Sequence, residues 1–213
     1  MKMIKTFLFD LDGTLIQTPE LILKTFKITF DKYFPEIKLS TDEESNLLGH
    51  TLFETFGNYT TDQNLIDEMV SFYRMTSESF IEKGLTSYEG ALEILKHLKH
   101  KKKNIGVVTS KMIEVATHHL DLVGLLPYVD HLIGYESTKL HKPHPDPILK
   151  ALEIFNAKNK ETIYVGDHEN DIKAAKAANI QSCAVTYSMR TKQMLFENPD
   201  FVIDELKNLK DLI

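Results

Sequence analysis

Six short apolar runs, bounded by polar or turn-forming residues, do most to limit what this chain can fold into. They occupy residues 4–9, 104–108, 131–134, 162–165, 182–185 and 201–203 and are rich in β-branched or aromatic side chains. Such runs, apolar without alternation, mark strands covered on both faces, as in a parallel sheet. Most alternate with helical patterns. One carries Ala91, Leu92, Leu95 and Leu98; others span 115–123, 147–155 and 170–178. Strand alternating with helix predicts an α/β fold with a doubly wound, mainly parallel, Rossmann-like sheet.

One connection is too long for that pattern. Roughly ninety residues separate the first run from the second, where a crossover needs only about 10–12. The stretch predicts helices over 20–33, 41–48 and 62–83, and no strand. Leu65, Met69, Phe72 and Tyr73 fall at i, i+4, i+7 and i+8, an apolar helical stripe. The economical reading is a small helical domain, residues 17–85, inserted into an α/β core made of 1–16 and 86–213. Its joints would lie near 13–17 and 84–87. Inside it, Leu48-Gly49-His50-Thr51-Leu52 breaks the helical pattern, as a plain turn or as a loop presenting His50 toward the core.

In open α/β sheets, ligands bind beyond the carboxyl ends of the strands. The first run ends in Asp10-Leu11-Asp12-Gly13, although burying an unpaired carboxylate is expensive. Two acids there can share a divalent cation, do acid–base work or form an Asp-Gly turn. The second run ends in Thr109-Ser110-Lys111, and after the third comes Lys142 in a proline-stiffened loop. The fourth ends in Gly166-Asp167-His168-Glu169-Asn170-Asp171. Acids, hydroxyl, lysine and acids thus recur in order at one sheet edge. Turns alone do not explain four such tips.

Composition narrows the partners. Formal net charge is -6, which argues against nucleic acid or an anionic membrane surface. The lysine-rich run 99–103 reads as a solvated helix end. Cys183 is the single cysteine, so an internal disulfide is excluded, and it reads as a small buried strand residue. No apolar run approaches the roughly 20 residues of a membrane helix, and the N-terminus lacks a signal-peptide layout. A cytoplasmic location is expected. His97, His100, His118 and His119 read as surface or boundary residues, while His141, His144 and His168 would line the site entrance. None has a transition-metal spacing such as HExxH.

On these residues the chain resembles the haloacid dehalogenase-like phosphohydrolases. FLFDLDGTL matches that family's first motif; Thr109, Lys142 and GDHEND match the second, third and fourth. The insert falls where the family carries its helical cap, which closes over the site. Within the family, the wording around Thr109 and Lys142 looks most like the pyrophosphatase and phosphoglycolate phosphatase branches. The resemblance implies hydrolysis of pyrophosphate or a small phosphomonoester such as phosphoglycolate. Asp10 would be the nucleophile, forming an aspartyl phosphate, and Asp12 the acid and base. Thr109 and Lys142 would hold the phosphoryl oxygens. The implied cofactor is Mg²⁺, on Asp10, Asp167 and the Asp12 carbonyl, with Asp171 bound directly or orienting Lys142 or a metal water.

Substrate contacts would come from Ser110, Lys111 and His50. Ser110 also reads as a helix N-cap, and Lys111 as a surface lysine or a second cation for a highly charged substrate. Monomer and homodimer stay open. A β-phosphoglucomutase-like enzyme would share every core residue but return the phosphoryl group to a sugar. A phospho-accepting receiver module would lack the acids that follow Lys142, and a non-catalytic relative would have lost a core residue.

Overall fold

The computed structural model describes residues 3–213, apart from the side chains of residues 82 and 83; residues 1 and 2, counted with the core above, lie outside it. The chain divides into two compact units, Thr18–Leu85 and the remainder. In the second of these, β1 (Thr6–Phe9), β2 (Asn104–Val108), β3 (His131–Ile133), β4 (Thr162–Gly166), β5 (Gln181–Val185) and β6 (Phe201–Ile203) form one sheet. Their order is β3-β2-β1-β4-β5-β6, and every pairing is parallel. The chain winds outward from β1 on one side, then returns and winds outward on the other. The order therefore reverses beside β1, and β1, β2 and β4 open onto that switch point.

The helices follow from amphipathic periods. In Thr18–Leu85 lie α1 (Pro19–Tyr33), α2 (Thr41–Ser45), α3 (Leu52–Gly57) and α4 (Gln63–Gly84); around the sheet lie α5 (Ala91–His100), α6 (Ile113–Leu122), α7 (Asp146–Phe155), α8 (Glu169–Ala177) and α9 (Thr191–Phe196). One face of the sheet buries Leu8, Val108 and Tyr164 against Ile148, Ala151 and Leu152 of α7 and Ala174 and Ala175 of α8. This accounts for strands without alternation: each strand residue faces a layer of helices or its neighbours. Burying a Leu or Ile this way contributes roughly 1.5–3 kcal/mol.

The helical unit has its own aromatic core of Phe26, Phe30, Phe56 and Tyr73, closed by Leu47, Ile66, Met69 and Val70. Two expectations are corrected here. The helix expected over 41–48 ends at Ser45, and α3 follows it unforeseen. Gly49, at φ 75°, turns the chain, and Thr51 with Glu54 forms a capping box that starts α3. A third correction falls at the last residue of the lysine run, of which His100, Lys101 and Lys102 are exposed as expected. Lys103 is buried, its Nζ donating to the Ile4 carbonyl at 2.6 Å, so this helix end is tied to the sheet.

Both connections to the helical unit leave the sheet unit side by side. The Gln17 amide donates to the Thr86 carbonyl at 2.8 Å and the Tyr88 amide to Leu15 at 3.0 Å. No described helix is long and apolar enough to cross a membrane.

Candidate active site

Asp10 is the first residue beyond β1. Its amide donates to the Val165 carbonyl at 2.9 Å, so the ladder with β4 fixes it. Thr109 stands in the same position beyond β2, its amide donating to Ile133 at 2.9 Å. The Thr109 hydroxyl oxygen accepts the Lys111 amide at 3.2 Å, which uses a lone pair and leaves the O–H to donate. Asp167 follows β4, and Asp171 lies in the first turn of α8.

Two glycines let the carboxylates close in. At Gly13, φ is 80°, and a Cβ there would stand 2.1 Å from Asp167 Oδ2. At Gly166 a Cβ would stand 2.3 Å from Asp171 Oδ2. Any side chain at either place would displace an acid.

Lys142 joins the set from the loop before α7. Its buried Nζ donates to Asp10 Oδ1 at 2.7 Å, Asp171 Oδ1 at 2.7 Å and the Tyr164 hydroxyl at 2.9 Å, with the Val108 carbonyl at 3.4 Å. Burial opposes its charge, but Asp10 and Asp171 prevail and hold the ammonium well above the ordinary lysine range. Tyr164 in turn donates to Val108 O at 2.7 Å. Sequence reasoning missed Tyr164, because a tyrosine inside an apolar strand reads as core.

Both oxygens of Asp171 are engaged. Oδ1 takes the lysine, and Oδ2 accepts the His168 amide at 3.0 Å in a capping box. His168 Nδ1 accepts the Asn170 amide at 3.1 Å. His168 is therefore a buried N-cap of α8, which corrects its expected place at an entrance.

The electrostatics are those of crowded acids. Burial pushes the Asp10 carboxyl up to about 7, helped by Asp171 and Asp12 and opposed by Lys142. Burial and the Asp10 and Asp171 charges likewise push Asp167 well above the carboxylate range, against Lys142 and the Thr14 hydroxyl, which donates to Asp167 at 3.2 Å. One oxygen from each of Asp10, Asp167 and Asp171 lies within 4.8 Å of the others, all three residues buried. With all three carboxylates ionised, the single ammonium would leave surplus negative charge, the state that burial and mutual repulsion oppose at Asp10 and Asp167. An all-oxygen donor set of that charge fits a hard divalent cation.

Asp12 lies with this cluster and pairs with Lys111, whose Nζ donates to Asp12 Oδ1. Ser110 sits in the same loop but is not an N-cap. α6 begins at Ile113, and the Glu136 carboxylate accepts the Ile113 amide at 3.0 Å instead. His119 is buried on α6 rather than at the surface or boundary expected of it; burial and the Lys111 charge push it down to about 4. His50 is exposed in the helical unit, at a small cleft of its own beside Glu43, Asn46, Asn58 and Tyr59. Cys183 is buried in β5 and its thiol is pushed up to about 12, which makes it inert.

The profile of the haloacid dehalogenase-like hydrolases matches residues 7–185. The pyrophosphatase PpaX of Bacillus pumilus is 34% identical over 211 residues, covering 99% of this chain and 96% of that protein. The PpaX of Halalkalibacterium halodurans is 35% identical over 211 residues, covering 99% and 97%. A solved structure from Bacteroides fragilis, described as a haloacid dehalogenase-like hydrolase, superposes with a TM-score of 0.89 at 26% identity, covering 97% of this chain and 99% of that one. Matched from its first strand to its fifth, and alike to these relatives over almost its whole length, the chain belongs to the haloacid dehalogenase-like hydrolase family.

Proposed function

We propose that this hydrolase releases phosphate from pyrophosphate or a small phosphomonoester such as phosphoglycolate, through an aspartyl phosphate on Asp10. The observation that carries the reading is the buried constellation at the switch point: Asp10 held by Lys142, with Asp167 and Asp171 within reach. Names of the relatives support pyrophosphate in particular.

Asp10 attacks phosphorus through a carboxylate oxygen; the new O–P bond forms as the bond to the leaving oxygen breaks, and Asp12 gives that oxygen a proton. Water then attacks the aspartyl phosphate, Asp12 takes its proton, and the Asp10–phosphorus link opens to free phosphate. Lys142 places a fixed charge between the nucleophile and the phosphoryl oxygens, while Thr109 and Ser110 donate from the β2 loop. A Mg²⁺ ion on Asp10, Asp167 and the Asp12 carbonyl would neutralise charge that otherwise opposes the approach of a carboxylate to a phosphate dianion. Asp171, occupied by Lys142 and the His168 amide, serves by aiming the lysine.

The test is phosphate release from a panel including pyrophosphate and phosphoglycolate, with Mg²⁺ and with a chelator. Asp10→Asn, near-isosteric, should lower kcat by about 10⁴-fold or more while the protein stays folded. Asp12→Asn should lower it about 10²–10⁴-fold. If no substrate gives Mg²⁺-dependent release above the Asp10→Asn control, the reading fails.

A further inference from the structure

Two ammonium groups reach the site at different depths. Lys142 is 5% exposed and serves the nucleophile; Lys111 and Asp12 are 19% and 20% exposed and pair with each other. The backbone of Lys111 is pinned at both ends, its amide on Thr109 Oγ1 at 3.2 Å and its carbonyl on the Tyr135 amide at 2.7 Å. Only its stem is left to swing. His119, buried behind on α6 and pushed down to about 4, is neutral and adds no second charge beside Lys111.

The position of this pair decides what Lys111 can meet. A proton donor must touch the leaving oxygen. A cation bonded to that donor therefore lies two hydrogen bonds, roughly 5–6 Å, from the leaving oxygen. That is where the rest of the leaving group begins. We infer that Lys111 selects substrates whose leaving group carries its own negative charge, a phosphate or a carboxylate, over those that leave as neutral alcohols. The inference rests on the phosphatase reading above. With an anionic leaving group, the ammonium passes from Asp12 to the charge that group already carries, while Asp12 gives its proton to the oxygen freed from phosphorus. A neutral alcohol offers no counter-charge, and the ammonium stays on Asp12.

Steady-state kinetics of wild type, Lys111→Met and Lys111→Arg on pyrophosphate, phosphoglycolate and glycerol 2-phosphate tests this. Lys111→Met should lower the ratio of kcat/KM for either anionic-leaving substrate over glycerol 2-phosphate by about 10- to 100-fold, the scale of one lost charge-assisted hydrogen bond. Lys111→Arg should keep most of the ratio. Equal falls on all three substrates would overturn the inference. Calorimetry in the Asp10→Asn background gives a reading without turnover: Lys111→Met should weaken imidodiphosphate more than orthophosphate, and equal weakening overturns the inference as well. Absence of hydrolysis by wild type on every substrate would sink the phosphatase reading instead, and the binding comparison would still decide Lys111.

Discussion

Lys142 has three N–H donors and meets three close acceptors, Asp10 Oδ1, Asp171 Oδ1 and the Tyr164 hydroxyl. A buried ammonium so arranged has no freedom to turn away from Asp10. Tyr164→Phe keeps the ring and removes one acceptor, so urea denaturation should show a loss of about 1–3 kcal/mol, the cost of stripping a partner from a buried charged group. A loss under about 0.5 kcal/mol, within the range of ordinary surface changes, would deny Tyr164 this task. Lys142→Met is harsher, because Asp10 and Asp171 then face each other without a cation. Asp10, raised to about 7 by burial, binds its proton more tightly folded than unfolded. Its contribution to stability is therefore present at low pH and lost as pH rises from about 4 through 7. Lys142 opposes that rise, so in Lys142→Met Asp10 takes up its proton at still higher pH; the penalty in metal-free protein should be largest well above pH 7 and shrink as pH falls toward 7. A penalty independent of pH would refute that account.

At the scale of elements, α6 is a ten-residue helix that buries Ala116, His119 and Leu120. His119 is pushed down to about 4, so the unfolded chain takes up its proton at higher pH than the native protein does. Stability is complete above about 6.5 and falls as pH drops toward 4, by roughly 2–3 kcal/mol from this residue. This opposes the Asp10 effect over the same window, so the two are separated by comparing variants with wild type. His119→Leu should lose less stability between pH 6.5 and 4 than wild type; an identical slope would mean that His119 is not buried in its neutral form. Legibility in the sequence also divides at this scale. The strands were readable because burial on both faces leaves unbroken apolar runs, and the strand-tip acids because each is local to its strand. α3 escaped because six residues make too little period, although Thr51-x-x-Glu54 was there as a capping signal. His119 escaped because an imidazole on a helix looks polar until its apolar neighbours are known. The Lys111–Asp12 pair and the Tyr164 hydroxyl depend on residues brought together from distant strands, which periodicity does not register.

For the whole molecule, the division of the cores is the useful fact. The aromatic cluster of Phe26, Phe30, Phe56 and Tyr73 closes within Thr18–Leu85, while the cluster over the sheet draws on the other unit alone. Gln17 and Thr86 are hydrogen bonded to each other, so the chain can be rejoined there by a short glycine linker in place of the helical unit. The sheet, the switch point and the three clustered acids all lie outside the deleted segment. The shortened protein should melt cooperatively and should still be stabilised by Mg²⁺. At a hundred times its dissociation constant, a ligand that binds only the native state contributes about 2.7 kcal/mol. Adding Asp167→Asn to the deletion should remove most of the Mg²⁺ shift, since burial and like charge at Asp167 are what a cation would relieve. Calorimetric melts with and without Mg²⁺ decide it: a broad, non-cooperative transition would show that the sheet unit depends on the insert for its fold. A Mg²⁺ shift that survives Asp167→Asn would move the cation away from the strand tips.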